Sequence, residues 1–323
     1  MDNASHPTGE STTRRDFLKF SAAAAAGAAT LTVASGAHAA GNEAIRIGMI
    51  GSGGRCTGAA GESMQAGPYV KLTAMCDVFR DKIEKSRETL KSKHPEQVQV
   101  DDAHCFVGLD GYKKVIESVD VVLIACASKF HPMYAEAAIK ADKHVFVEKP
   151  HGIDALGVHR MKAVCELAKD KNLSILSGLQ SRWHAGWRET INRIHDGAIG
   201  DIVAVQCMFL RAPYVVVERE PGLSELEYQF RNWYHFCWLS GDDVPQSLVH
   251  NVDRASWALK EQVPTWAFGL AGQHSLAYLP FAIAQILRED TAYESVCAGY
   301  EGYAWHDALH WHAGNGHSRD HAA

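Results

Sequence analysis

From residue 44 onward, short apolar segments alternate with longer amphipathic ones. The apolar segments carry hydrophobic residues on both faces of an extended chain, which predicts buried strands, and the segments between them predict helices. The predicted strands have the sequences AIRIGMIG, VKLTAMCD, VDVVLIACA, KHVFVEK and LSILSGLQ. This alternation is typical of an α/β fold, a doubly wound parallel sheet covered by helices on both sides. Two later segments, IVAVQCMFLR and PTWAFGLAG, also predict strands.

A glycine-rich turn follows the first predicted strand. Gly51, Gly53 and Gly54 permit a tight turn and the close approach of a pyrophosphate to the main chain, and Ser52 and Arg55 belong to the same loop. A single G-x-G is weak evidence, because glycines also occur in ordinary turns. Here the turn follows a strand and precedes a helix, at the edge where parallel sheets bind ligands. The sequence therefore predicts a dinucleotide-binding domain.

Asp77 ends the second predicted strand, at the place where a carboxylate accepts the two hydroxyls of the adenosine ribose. A carboxylate there repels a 2′-phosphate, which favours NAD, while Arg80 nearby keeps NADP possible. Cys56 stands where a third glycine is often found, and Gly58 is a candidate for the helix–strand packing that such a glycine serves.

Composition narrows the class of protein. The chain has 323 residues, of which 46% are hydrophobic and 22% charged, as in a soluble globular protein of one large or two ordinary domains. Its formal net charge is −6. Nucleic acids favour a basic surface, so we expect no nucleic-acid partner.

The first 39 residues predict a twin-arginine (Tat) export signal. Arg14 and Arg15 precede Phe17 and Leu18, and the soft apolar run SAAAAAGAATLTVASG follows, ending in AHAA. This run is too rich in alanine and glycine for a stable membrane-spanning helix. We expect cleavage after Ala39 and export through the Tat machinery to the periplasm or beyond. Because this route carries folded proteins, a cofactor can be bound before export.

The cysteines predict neither a metal site nor disulfides. The chain contains eight, without a C-x-x-C pair. Cys76, Cys126 and Cys207 lie in apolar strand patterns, which suggests small buried hydrophobic side chains.

Five segments together resemble the glucose–fructose oxidoreductase / inositol dehydrogenase / MocA (Gfo/Idh/MocA) family: IGMIGSGGRCTGA, KHVFVEKP, LSGLQSRW, GAIGDI and LSGDDVPQSLVHNVDRASWAL. The resemblance implies an NAD-binding Rossmann domain, which we place at residues 40–182. It also implies a substrate-binding α/β domain with a mostly antiparallel sheet, at residues 183–323. Members of the family hold a pyranose- or cyclitol-like substrate between that sheet and the nicotinamide, and they commonly form homo-oligomers through the sheet.

The E-K-P triplet after a strand is the most specific of these motifs. Lys149 is predicted to reach the nicotinamide crevice, where an ammonium stabilises the alkoxide that develops during hydride transfer. Pro150 removes a main-chain donor and fixes the turn. A surface ion pair between Glu148 and Lys149 is the alternative, but neighbouring strand residues point to opposite faces. We therefore predict Lys149 as a catalytic residue, with Glu148 and Lys149 at the cofactor.

His250 and Asp253 lie three residues apart on a predicted helix and share one face. In the family the matching histidine relays the substrate proton, and a neutral imidazole is suited to that role. A core histidine paired with its own carboxylate is the alternative. The inositol dehydrogenases have an aspartate four residues before this histidine, where this chain has Gln246, which can bind a hydroxyl but cannot share the proton. All three residues are predicted at the catalytic site.

Several candidates rest on weaker signals. Ser128 and His131, in CASKFHP, match a region near the nicotinamide ribose in the family. Arg182 follows the last strand of the first domain and could reach substrate or cofactor, with a solvated surface arginine as the alternative. Trp233 and Tyr234 are flat side chains that could cover a sugar face, although aromatic residues at this spacing also occur in cores.

The C-terminal segment, residues 270–323, is atypical for the family and shorter than expected. It contains five histidines in YAWHDALHWHAGNGHSRDHAA, interrupted by Gly, Asn and Ser, and we expect no metal site there. A truncated or disordered terminus is the prediction.

The leading hypothesis is an exported NAD(P)-dependent oxidoreductase that acts on a hydroxyl of a sugar, cyclitol or glycoside. One alternative is an NAD-dependent glycosidase that works by transient oxidation and elimination. The other is a catalytically impaired dinucleotide-binding protein.

Overall fold

A six-stranded sheet organises the first half of the computed structural model, which describes residues 44–209, 214–272, 281–288 and 291–298. The strands are β1 (Ile45–Ile50), β2 (Val70–Asp77), β3 (Cys105–Val107), β4 (Val121–Ile124), β5 (His144–Val147) and β6 (Ile175–Ser177). They lie in the order β3-β2-β1-β4-β5-β6, and every neighbouring pair is parallel. The predicted doubly wound α/β class is confirmed.

Helices connect these strands. They are α1 (Gly54–Met64), α2 (Arg80–Lys93), α3 (Gly111–Ser118), α4 (His131–Lys140) and α5 (Ala155–Asp170). Asp154 begins α5 by accepting a hydrogen bond from the main-chain N–H of Gly157, as expected of an N-cap carboxylate.

Both faces of the sheet are buried. In β1, Met49 packs in a cluster with Leu72 and Met75, whereas Ile50, the next residue, packs with Val122 and Val145 in a second cluster. Successive strand residues point to opposite faces, so each face of the strand supplies one core. This explains why the strand sequences are apolar throughout rather than alternating.

The strand β3 and the helix α3 were not among the predicted elements. The strand has three residues, Cys105–Val107, which is too short to establish a periodic pattern. It is nevertheless fixed at the edge of the sheet, where Cys76 pairs with Phe106.

Among the described residues of the second half are four helices and a second sheet. The helices are α6 (Ala185–His195), α7 (Glu225–Arg231), α8 (Cys237–Ser240) and α9 (Val249–Ala258), and a π-helical turn, Val244–Leu248, precedes α9. The strands are β7 (Gln206–Phe209), β8 (Trp266–Gly272), β9 (Phe281–Arg288) and β10 (Thr291–Ala298), in the order β7-β10-β9-β8. Only the β7–β10 pair is parallel, which confirms a mostly antiparallel sheet in the described residues.

Other expectations remain predictions. The described residues from Ile45 onward form one compact unit, and the proposed boundary after residue 182 falls in a 3-10 turn, Gln180–Trp183. The export signal and the histidine-rich tail lie outside the described residues. In the part of the chain that the structure describes, no helix is both long and apolar enough to cross a bilayer.

Candidate functional site

The glycine turn after β1 has the geometry of an anion cradle. Gly51 has φ of +90°, and a Cβ there would lie 2.7 Å from the main-chain oxygen of Ala125, so both the conformation and the space require glycine. Gly53 precedes α1 without a side-chain cap. A Cβ added at Gly53 or Gly54 would meet no described atom within 4 Å. The first N–H groups of α1 are therefore suited to phosphate oxygens.

Asp77 ends β2 beside this turn. Its Oδ2 accepts a 2.7 Å hydrogen bond from the main-chain N–H of Ser52, and its Oδ1 accepts one of 3.0 Å from the N–H of Phe79. The Ser52 hydroxyl donates to the main-chain oxygen of Cys76. Burial raises the pKa of Asp77 above its ordinary value, and the two main-chain donors oppose that shift. The carboxylate is thereby fixed at the end of the strand.

A cavity of about 300 Å³ extends from the turn and Asp77. The second half of the chain contributes four residues to its lining: Phe230, Arg231, Trp233 and Tyr234. The uncapped helix, the fixed carboxylate and a cavity with apolar walls fit an adenine dinucleotide. The glycine turn would hold its pyrophosphate, and Asp77 its adenosine ribose.

Arg55 and Glu148 join the turn to the end of β5. Glu148 is 5% exposed, and its Oε1 accepts a 2.6 Å hydrogen bond from Arg55 Nε. Gly178, at the end of β6, makes room for this carboxylate, since a Cβ there would lie 2.6 Å from Glu148 Cδ. Both predicted cofactor residues thus lie beside the cradle, and the requirement for glycine in LSGLQ has a steric cause.

Lys149 reaches across to the second half. Its ammonium donates a short hydrogen bond to the main-chain oxygen of Gln246, in the π-helical turn. The Lys149–Pro150 peptide bond is cis, and Pro150 is buried. Lys149 is therefore partly buried between the two halves rather than at the outer surface.

His250 lies in the first turn of α9, and its ring stacks against Phe209 at 6.5 Å. Burial lowers the pKa of His250 below 6.5, and the positive charges of Lys149 and Arg254 lower it further. The Lys149 ammonium binds the main-chain oxygen of Gln246, four residues before His250, so the two predicted catalytic groups lie on adjoining segments. Near neutral pH the imidazole is neutral and can accept a proton.

Asp253 pairs with Arg182, which was predicted to bind substrate. Asp253 Oδ1 accepts a 2.9 Å hydrogen bond from Arg182 Nε, and the guanidinium also pairs with Glu261 at 2.7 Å and lies over the Trp257 ring. Among the described residues, Asp253 Oδ2 is buried without a hydrogen-bond partner. His250 and Asp253 share a helix face as predicted, yet the carboxylate is committed to the guanidinium.

Gln246 and Ser128 form a buried contact between the two halves. Gln246 is 2% exposed, and its amide donates to Ser128 Oγ at 2.9 Å and to the main-chain oxygen of Ser240. Ser128 is 1% exposed. The amide is thus used within the protein, and the geometry adds no support for Gln246 as a substrate ligand or Ser128 as a cofactor ligand.

His131 is likewise buried. Its Nδ1 lies 2.8 Å from the main-chain oxygen of Pro150, and its Nε2 lies 3.1 Å from that of Cys126. Burial lowers the pKa of His131 to about 4, against the effect of these two oxygens. A neutral ring has one N–H and can donate to only one of them. His131 connects the ends of β4 and β5, and its predicted contact with the cofactor gains no support.

His151 was missed in the sequence, although it directly follows the E-K-P triplet. Its Nε2 lies 2.8 Å from Ser177 Oγ. Burial lowers its pKa, whereas the charges of Glu148 and Asp253 raise it. Its position next to Pro150 was the available signal.

Trp233 and Tyr234 line the dinucleotide cavity, although they were predicted to face a substrate. Their rings stack at 3.8 Å, and Tyr234 stacks in turn on Tyr214 at 3.8 Å. Among the described residues, no group of three or more His, Cys, Asp or Glu side chains could hold a metal ion.

Comparison with known proteins gives two family matches. Residues 45–178 match the Gfo/Idh/MocA model, described as an oxidoreductase family with an NAD-binding Rossmann fold. Residues 11–30 match the signal sequence of the twin-arginine translocation pathway, so the chain carries a Tat export signal, as predicted.

Curated relatives are similar over part of their length. A glycosyl hydrolase family 109 protein from Solibacter usitatus is 36% identical over 151 residues, which are 44% of this chain and 33% of the relative. Myo-inositol 2-dehydrogenase from Thermotoga maritima is 26% identical over 223 residues, 68% of this chain and 56% of the relative. The chain thus spans between a third and just over half of these relatives.

A solved structure has the same fold. Myo-inositol 2-dehydrogenase from Lactobacillus plantarum superposes with a TM-score of 0.61 and 22% identity, covering 80% of this chain and 70% of that one.

Proposed function

Because residues 45–178 form the NAD-binding Rossmann domain of the Gfo/Idh/MocA oxidoreductase family, we propose that this exported protein is an NAD-dependent oxidoreductase acting on a hydroxyl of a sugar or cyclitol. The observation that carries the proposal is the hydrogen bond from the Lys149 ammonium to the main-chain oxygen of Gln246, four residues before His250. The two groups come from different halves of the unit, and Glu148, which precedes Lys149, accepts a hydrogen bond from Arg55, a residue that lines the cavity.

When bound, NAD supplies the hydride acceptor. Lys149 donates an N–H to the substrate oxygen and stabilises the negative charge that develops there. Its hydrogen bond to the Gln246 main chain fixes the ammonium before substrate arrives. His250, neutral because of its lowered pKa, accepts the hydroxyl proton at a ring nitrogen.

The substrate class is supported by the relatives rather than by a sugar-binding contact. The Thermotoga maritima relative is named for myo-inositol, a cyclitol. Among the described residues, Arg182 and Gln246, the two polar candidates for sugar contacts, are committed within the protein. The particular sugar or cyclitol therefore has to be found by screening.

The test uses the purified mature protein with NAD⁺ and a panel of aldoses and cyclitols, followed by NADH absorbance. We expect turnover that falls at least about a hundredfold in Lys149→Ala, since an electrostatic donor at the developing charge contributes on this scale. Lys162→Ala, an exposed lysine on α5, is the matched control and should retain full turnover. Equal turnover in both variants would refute the assignment of Lys149.

A second candidate is glycoside cleavage through transient oxidation, for which the same residues would serve. The observation in its favour is the 36% identity to a protein named as a glycosyl hydrolase, over 151 residues. Release of nitrophenol from an aryl glycoside without net NADH would favour it, whereas stoichiometric NADH would favour the dehydrogenase.

The family resemblance also supports a homo-oligomer formed through the second sheet. Light scattering on the purified protein tests this, and a monomer mass at micromolar concentration would rule it out under those conditions.

A further inference from the structure

The outer wall of the dinucleotide cavity is formed by a segment of the second half that lies outside residues 45–178. This segment comprises α7 and the turn Trp233–His235, and we call it the cover. It contributes Phe230, Arg231, Trp233 and Tyr234 to the lining of the cavity, to which the glycine turn also contributes.

The cover is internally well fixed. Ser224 and Glu227 form a reciprocal capping box at the start of α7. Asn232 is 3% exposed, accepts a 2.7 Å hydrogen bond from the N–H of Val217, and donates to the main-chain oxygens of Val217 and Tyr228. Because of these internal hydrogen bonds, we expect the cover to move as a rigid body.

One ion pair joins the cover to the first turn of α2. Arg231 contacts both oxygens of Asp81 at 3.2 Å, and its guanidinium lies 4.2 Å from the centre of the Phe79 ring. The main chain of Phe79 in turn donates to Asp77, the predicted ribose ligand. The Arg231–Asp81 pair, which we call the latch, therefore joins the cover to the segment that follows Asp77.

A smaller apolar contact supports the same closure. Phe230 is 8% exposed and packs with Ala127 and Leu239, and its ring stacks on Phe130 at 5.9 Å. Phe130 also lines the cavity. The cover thus touches the Rossmann domain at two points, the Arg231–Asp81 pair and the Phe230–Phe130 stack, and Arg231, Phe230 and Phe130 all line the cavity.

We propose that the cover is part of the cofactor site and retains a bound dinucleotide, with the Arg231–Asp81 latch controlling its release. The proposal rests on the proposed function, because it requires dinucleotide binding. Retention suits an exported enzyme, which would otherwise lose to its surroundings the cofactor that it acquired before export.

The test measures release of NADH from the preloaded, full mature protein. Energy transfer from protein tryptophans to NADH reports occupancy, and excess NAD⁺ prevents rebinding. Asp81→Asn and Arg231→Ala should each accelerate release about two- to fivefold, as loss of one partly exposed ion pair predicts. Arg219→Ala is the matched control, because Arg219 pairs with Glu225 and stacks on Tyr228 away from the cavity. Its release rate should equal that of the unmodified protein.

A charge swap tests the latch itself. Asp81→Arg combined with Arg231→Asp should restore slow release relative to either single change. Hydrogen exchange of residues 225–231 in the nucleotide-free protein gives a second readout, and it should accelerate in Asp81→Asn.

The outcomes separate the two proposals. If the unmodified protein binds no NADH, the proposed function fails and the cover fails with it. If NADH binds but leaves at the same rate from Asp81→Asn and Arg231→Ala, only the cover is refuted. If Arg231→Ala accelerates release of NADPH alone, Arg231 is a phosphate ligand and the latch is refuted.

Discussion

Arg55, in the glycine turn, donates a 2.6 Å hydrogen bond to the buried carboxylate of Glu148, 93 residues later in the chain. The bond couples the pyrophosphate cradle to the residue that precedes Lys149. Removing either partner has unequal consequences, because the Arg55 side chain is 50% exposed and that of Glu148 is 6% exposed.

We predict that Arg55→Ala lowers the free energy of unfolding by about 1–3 kcal/mol, since it removes the donor to Oε1 of a buried carboxylate, while Oε2 still accepts from the main-chain N–H of Lys149. Glu148→Gln should cost less, because the released guanidinium can be hydrated and the amide oxygen can still accept. Urea unfolding of both variants measures the difference. A larger loss in Glu148→Gln would contradict this asymmetry.

Gly178→Ala should displace that same carboxylate. An added Cβ would lie 2.6–2.8 Å from the Cδ and both oxygens of Glu148. We expect a loss of about 1–3 kcal/mol in unfolding free energy, as for other overpacked sites, together with weaker NADH binding. Gly61→Ala is the control: its Cβ would make ordinary contacts at 3.7 Å, and alanine favours a helix. If the Gly178→Ala protein is as stable as the unmodified protein and binds NADH equally well, the Glu148 carboxylate can move to another position without cost.

The pH dependence of turnover should reflect His250. The neutral imidazole accepts the proton, it is populated above its pKa, and burial with the charge of Lys149 lowers that pKa. Activity should therefore persist to a pH below 6.5 before it declines. Lys149→Met should raise the pKa of His250, which NMR titration of the imidazole resonances can follow, whereas Lys162→Met should leave it unchanged.

His131 should make stability depend on pH. Its folded pKa of about 4 lies below the ordinary value of 6.5, so the unfolded chain binds more protons between these values. The contribution of His131 to the free energy of unfolding is fully present above about pH 6.5. It falls as the pH drops towards 4, by a total of about 3 kcal/mol. His131→Asn should remove this slope from urea unfolding measured across that range. An unchanged slope would assign it to other groups.

Arg182→Ala should also destabilise the protein. Asp253 is 9% exposed and would lose the guanidinium that occupies Oδ1, while its Oδ2 already lacks a hydrogen-bond partner among the described residues. We expect a loss of about 2–4 kcal/mol in the free energy of unfolding. Arg193→Ala, which removes an exposed pair with Glu189, should change it by less than about 0.5 kcal/mol.

Local pattern predicted much of the Rossmann domain. The segment VKLTAMCD coincides with β2, and the glycine turn and Asp77 lie together as the motif implied. These features depend on residues close in sequence or on the fixed geometry of a parallel sheet. The short strand β3 was not predicted, because three residues are too few to establish a hydrophobic period.

Side-chain partners could not be predicted in the same way. Gln246 and Ser128 are 118 residues apart, and Arg182 and Asp253 are 71 apart, so only the tertiary fold decides that they bind each other. The aromatic residues at 233 and 234 line a cavity, yet the local pattern did not indicate which cleft they would face. Pattern identifies chemistry-bearing residues more readily than it identifies their partners.

Asp77 has a consequence for attempts to change the coenzyme. Its two oxygens accept hydrogen bonds from two different main-chain N–H groups, those of Ser52 and Phe79. Ser52 belongs to the glycine turn, and Phe79 lies beside the predicted adenosine site. Asparagine would place an NH₂ group against one of those N–H groups, and alanine would remove both hydrogen bonds. A redesign for NADP therefore has to replace these two hydrogen bonds as well as remove the negative charge.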